Sequence, residues 1–178
     1  MLVAVIRHAK VNMKWKFWLT SAEYNKGCSD YDAAPVLPVT VKLPQTEFRR
    51  IYVSALPRTT ATARQVVGDR ELHATPLINE VPDRAGFDTG LKLPMLLWSG
   101  ISRVQWFTNM RRQPETRAET RQRASEFARH LLQQNEDCAV FTHGFFMITL
   151  LQEMKKQGFR VDHEHLHYAN GEVVICEK

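Results

Sequence analysis

At 178 residues, 44% hydrophobic and 24% charged, the chain suits one well-buried globular domain and is too short for two. No apolar run reaches the ~20 residues of a membrane-spanning helix, and the apolar start stops at Arg7-His8, short of a signal-peptide core; the expected location is the cytoplasm. Cys28, Cys138 and Cys176 are odd in number and widely spaced, which fits neither a CxxC metal pattern nor a disulfide framework. The net charge of +5 suits an anionic partner without choosing one.

Residues 2–6 are all apolar and predict a buried first strand. Thr20-Ser21-Ala22-Glu23 has capping-box spacing, which predicts a helix from there through the mid-20s. Residues 50–54 predict a second strand, with Pro57 opening a helix to about Val67. A third, short strand is expected within 72–78. The Leu, Trp and Ile spacing over 94–106 predicts a helix, and Pro114 opens a long polar one with Ala118, Ala124, Phe127, Leu131 and Leu132 on its apolar side. Residues 138–142 predict another buried strand, 145–157 a helix ending near Gly158, and 171–176 a final strand. Short β-rich runs alternating with helices, without repeats or a linker, predict an α/β fold with parallel strands.

His8, Arg58 and His143 each fall just past a predicted strand, and Arg7 adjoins His8. Ligands of open α/β sheets bind at the carboxyl ends of strands, so two histidines and two arginines are expected at one sheet edge. Guanidinium forks match phosphate oxygens. A neutral imidazole held in one tautomer is a competent nucleophile, and a second, protonated imidazole would bind the equatorial oxygens. Cationic side chains then supply the charge neutralisation that phosphoryl transfer needs, so neither a metal nor a cofactor is expected. Glu80, after the third strand, is the expected proton donor to the leaving oxygen, with Asp83 second.

Ile6-Arg7-His8-Ala9-Lys10 resembles the RHG signature of the histidine phosphatase superfamily, branch 1, which includes phosphoglycerate mutases. Ser54-Ala55-Leu56-Pro57-Arg58-Thr59 is similar to its S-x-L-x-R-[A/T] segment, Glu80 to its L-x-E acid, and Thr142-His143-Gly144 to its second motif. Four pieces in order are a specific signal where one tripeptide is weak. The resemblance implies His8 as phosphorylated nucleophile, Arg7, Arg58 and His143 as phosphate pocket, and Glu80 as donor. It also implies a three-layer α/β/α sandwich around a mostly parallel sheet, as one domain over 1–178 with a lid-like insertion around 83–114. A metal-independent phosphatase acting on a small phosphorylated substrate or a phosphoprotein is the leading expectation. Mutase-like transfer, a protein phosphohistidine phosphatase and a non-catalytic phosphate-binding module are the alternatives.

Ala9 replaces the family's usual glycine. The position that often carries a phosphate-binding asparagine is Lys14, with Asn12 nearby, and both are candidate phosphate contacts. Between Val11 and Trp18, the aromatics are expected to pack on the next helix while Lys14 and Lys16 stay solvated. His163, His165 and His167 would share one face of a strand. Three imidazoles can hold a metal, but an exposed polar connection is the plainer expectation. The arginines between Arg103 and Arg129 read as a solvated face, with Glu119–Arg123 a favourable i,i+4 pair, rather than as a nucleic-acid stripe.

Overall fold

The computed structural model describes residues 1–178. In chain order its elements are β1 (Leu2–Arg7), β2 (Trp18–Leu19), α1 (Ser21–Ala33), β3 (Arg50–Ser54), α2 (Pro57–Val67), β4 (His73–Thr75), a 3-10 turn (Pro76–Ile78) and β5 (Leu93–Pro94). There follow α3 (Met95–Phe107), α4 (Arg117–Gln134), β6 (Cys138–Thr142), α5 (Gly144–Lys156), β7 (Arg160–Val161) and β8 (Val173–Glu177). The main sheet has the order β4-β3-β6-β1-β8-β7. Its four central and left-hand strands, β4, β3, β6 and β1, run parallel, while β8 and β7 close one edge antiparallel. This is the expected α/β architecture with a mainly parallel sheet.

Both faces of the sheet are covered, which explains the unbroken apolar reading of β1. Val3 and Val5 join Phe127 and Leu131 of α4 and Phe146 and Leu150 of α5 in the larger core. Ala4 and Ile6 point the other way, with Ile51, Val53 and Phe141, onto Ala63 of α2. Burying each large aliphatic side chain contributes roughly 1.5–3 kcal/mol, so a one-residue slip of this strand would invert both cores.

A third cluster of Leu19, Tyr24, Ala85 and Trp98 sits apart from the sheet. It joins α1 and α3 to the β2–β5 pair, and the Trp98 indole donates to the Leu19 carbonyl at 2.8 Å. Residues 83–114 thus form a wall whose small core is shared with β2 and α1.

Several boundaries differ from the sequence reading for physical reasons. Helix α1 runs on to Ala33, with its capping box formed as expected. Gly27 lies within it, at a point where a side chain would meet the Trp15 ring at 2.5 Å. The third strand is only His73–Thr75, since Pro76 opens the 3-10 turn capped by the Thr75 hydroxyl. Helix α4 begins after Thr116, whose capping box with Glu119 outcompetes Pro114 as the start. Residues 163–167 form no strand, so no strand face gathers the three histidines. Two-residue strands β2, β5 and β7 carry no pattern long enough to be read.

Candidate active site

Register brings the two histidines together. Arg7 pairs with Thr142 across β1 and β6, so His8 and His143 each lie one residue past neighbouring parallel strands. Their ring centroids are 5.1 Å apart. Strand β3 flanks β6 on the other side and feeds α2, whose second residue is Arg58. The Arg58 Nε lies 3.3 Å from His8 Nε2 and 3.1 Å from His143 Nδ1. All three side chains are buried.

The acceptor-only nature of carbonyls and donor-only nature of guanidinium fix both tautomers. His8 Nδ1 is 2.7 Å from the Ala9 carbonyl, so Nδ1 carries the proton and the Nε2 lone pair faces the site. His143 Nδ1 accepts from Arg58, so its Nε2 donates to Ser54 Oγ at 2.7 Å. Ser54 passes the chain to Thr59 Oγ1 at 2.9 Å, and Thr59 bonds the Leu56 carbonyl. Burial, reinforced by the Arg58 charge, lowers the His8 pKa to about 3. The same causes hold His143 well below the ordinary imidazole range. Both rings are therefore neutral in the free protein, which for His143 corrects the expectation of an imidazolium.

Arg7 comes from the other flank. One Nη donates to the Tyr168 carbonyl, while its buried Nε has no partner. A side chain on Gly144 would approach that Nε to 2.7 Å, so the glycine after His143 exists to let Arg7 pass over the start of α5.

Glu80 follows the 3-10 turn that Thr142 Oγ1 anchors through the Ile78 carbonyl at 2.7 Å. Its carboxylate accepts from the Phe145 and Phe146 amides at 3.3 and 2.9 Å, bonding free N–H groups at the start of α5. Asp83 stands further out, with Oδ2 3.1 Å from Arg103 and a buried, unpartnered Oδ1.

Arg7, Arg58, Glu80 and Asp83 line a cleft of about 1210 Å³ together with wall residues such as Leu96 and Arg103, while His8 and His143 lie buried against Arg58 beneath that lining. Asn12 and Lys14 are exposed and outside this lining; the backbone turns away there, with the Asn12 amide bonded to the Pro35 carbonyl. Trp15 of the same segment does line the cleft, tilted against Tyr24 and Tyr31, whereas Phe17 and Trp18 are exposed.

Sequence reasoning missed three charged groups here. Arg103 and Arg123, read as solvated, both line the cleft. Arg123 pairs with Glu115 at 2.8 Å rather than with Glu119, which is bound to its own cap and to Arg111. Asp32 at the end of α1 holds Arg58 at 2.7 Å. Only the amphipathic phase of α4, which puts Arg123 beside Ala124 and Phe127, gave any hint. Cys28 also lines the cleft, but burial and the nearby Asp83 push its thiol up to about 12, which removes it as a competing nucleophile.

The sequence matches the histidine phosphatase superfamily (branch 1) over residues 39–177. The chain belongs to that superfamily. The matched stretch includes Arg58, Glu80 and His143, and the sheet brings His8, which precedes it, to the same edge. The fold of this histidine phosphatase superfamily member is similar to several solved structures. Bacillus stearothermophilus YhfR has 19% identity over 98% of this chain and 89% of that one, with a TM-score of 0.59. An alpha-ribazole phosphatase from Shigella flexneri has 19% identity, the same coverages and a TM-score of 0.55. A phosphoserine phosphatase from Entamoeba histolytica, solved with phosphoserine, has 16% identity over 93% and 92%, with a TM-score of 0.51. No curated protein matches the chain in sequence.

Proposed function

We propose that the protein is a phosphomonoester hydrolase that carries the phosphoryl group on Nε2 of His8. The observation that supports this best is the Ala9 lock, which leaves that lone pair aimed across Arg58 at a second imidazole. Nε2 attacks phosphorus as the ester P–O bond breaks, and the leaving oxygen takes a proton from Glu80. Water then attacks the phosphohistidine, its proton returns to the carboxylate, and phosphate departs from a regenerated His8. The Nδ1–H bond to the Ala9 carbonyl stabilises the positive charge that the phosphorylated ring acquires. Arg58 and the unpartnered Nε of Arg7 bind the phosphoryl oxygens, and the dianion supplies the counter-charge that permits His143 to become a donor. We assign the wall at 83–114 the role of a lid that sets substrate choice.

Incubation with p-nitrophenyl phosphate in chelator tests the reading. The parent turns over and forms an acid-labile, alkali-stable phosphoenzyme, while His8→Ala loses at least about 10³-fold in kcat. Turnover that survives in His8→Ala rejects the mechanism. Phosphate binding without turnover by either protein marks a binding module, and isomerisation of phosphoglycerate marks a mutase. With an alkyl phosphate, whose leaving group needs a proton, Glu80→Gln loses about 10²-fold. If Asp83→Asn shows that loss instead, the donor is Asp83.

A further inference from the structure

The connection between β7 and β8 turns back on itself and brings two of its histidines to one of its carboxylates. His163 Nε2 stands 3.2 Å from Glu172 Oε1, and His165 Nε2 stands 3.7 Å from the same oxygen. A ligand atom from each of the three residues lies within 4.8 Å of the other two. His163 Nδ1 is 2.8 Å from Asp162 Oδ1, and that carboxylate oxygen is itself fixed by the His163 and Ile175 amides at 2.7 and 3.1 Å. The other oxygen of Glu172 accepts from the Ala169 amide.

Nε2 of His163 faces Glu172 Oε1 within hydrogen-bond reach, so either a shared proton or a cation that displaces it joins the pair. His165 Nε2 adds a third ligand atom beside the same oxygen, which one proton cannot also serve and a cation can. Zinc bonds of about 2.0–2.1 Å put tetrahedral ligand atoms about 3.3 Å apart, so little movement is required. Asp162 Oδ1 lies beside His163 Nδ1, where a metal-ligating histidine usually finds a carboxylate for its second N–H. We propose that His163, His165 and Glu172 form a site for a divalent transition cation of the zinc class, oriented by Asp162. The fourth position is left to solvent on the side of the half-exposed His165.

The site grips the segment that holds the catalytic strand. Arg7 bonds the Glu172 carbonyl through its amide at 3.0 Å and the Tyr168 carbonyl through its guanidinium. Asn170 donates to the His8 carbonyl at 2.9 Å, and the His165 amide bonds the Tyr168 hydroxyl at 3.1 Å. A cation here ties this loop closed behind Arg7 and His8.

Zinc titrated by calorimetry into chelator-treated full-length protein tests the site. One equivalent binds, Tm rises by about 5 °C or more at saturation, and cobalt in its place gives the intense visible bands of four-coordinate geometry. His8→Ala keeps that equivalent. His165→Ala, which alters an exposed side chain, and Glu172→Gln each weaken zinc by about 10²-fold or more and abolish the cobalt bands. The absence of saturable binding in the parent, as expected if a proton alone joins His163 to Glu172, overturns the proposal. So does binding that His165→Ala leaves unchanged, or that His8→Ala removes.

Discussion

The floor and the wall of the cleft are built by different means. On the floor, His8, Arg58 and His143 hang from the ends of three adjacent parallel strands, and each ring nitrogen has an assigned partner. On the wall, Leu96, Ser99 and Arg103 come from one face of α3, with Leu96 73% exposed. Backbone register positions the floor to a fraction of an ångström, as chemistry requires. The wall rests on Trp98 and its small cluster, so its side chains can change without disturbing the strands. Under the proposed function, reaction and selectivity are thus separable.

The strongest way to break that division is Arg58→Ala, which removes the group joining both rings. A loss of about 10³-fold in kcat is expected, measured with p-nitrophenyl phosphate beside a check of the folded state. A fall confined to KM would show that the floor only binds. Gly144→Ala is the subtler attack, since its new methyl pushes Arg7 aside. Up to about 10²-fold in kcat/KM is expected with the fold retained, and full activity would remove Arg7 from the pocket.

Acid stability sharpens the same contrast. The His8 pKa is about 3 when folded and about 6.5 when unfolded, so the unfolded chain binds the extra proton between those values. This stabilising contribution is complete above about pH 6.5 and declines as pH falls toward 3, at a slope near 1.4 kcal/mol per pH unit. Urea denaturation across that window should show a shallower slope in His8→Asn, and identical slopes would mean that the ring is already charged. The smallest effect belongs to the wall: Leu96→Ala should move KM about 3-fold, for the little apolar area it buries on substrate, and leave kcat alone. A large fall in kcat would end the separation of floor from wall.

The floor was legible because its signals are local. Apolar runs at β1, β3 and β6 declare strands, and the residue after each run is placed by the strand itself. Thr20 and Thr116 likewise cap helices through contacts three residues away. Lys14 and Asn12 misled because a position counted along the chain ignores the turn that carries both out of the cleft. Arg123 was hidden because helix periodicity gives a residue's face and not the element opposite, here the Leu77 carbonyl and the Phe146 ring.

Residue order alone thus determined an α/β domain, its strand ends and the histidines standing on them, since all of these follow from periodicity and capping over a few residues. Tertiary structure alone decided which nitrogen of each ring carries the proton, which cations are already paired, and that Glu172 meets His163 and His165. Those outcomes depend on distances of a few ångströms between chain segments whose separation only the completed sheet sets.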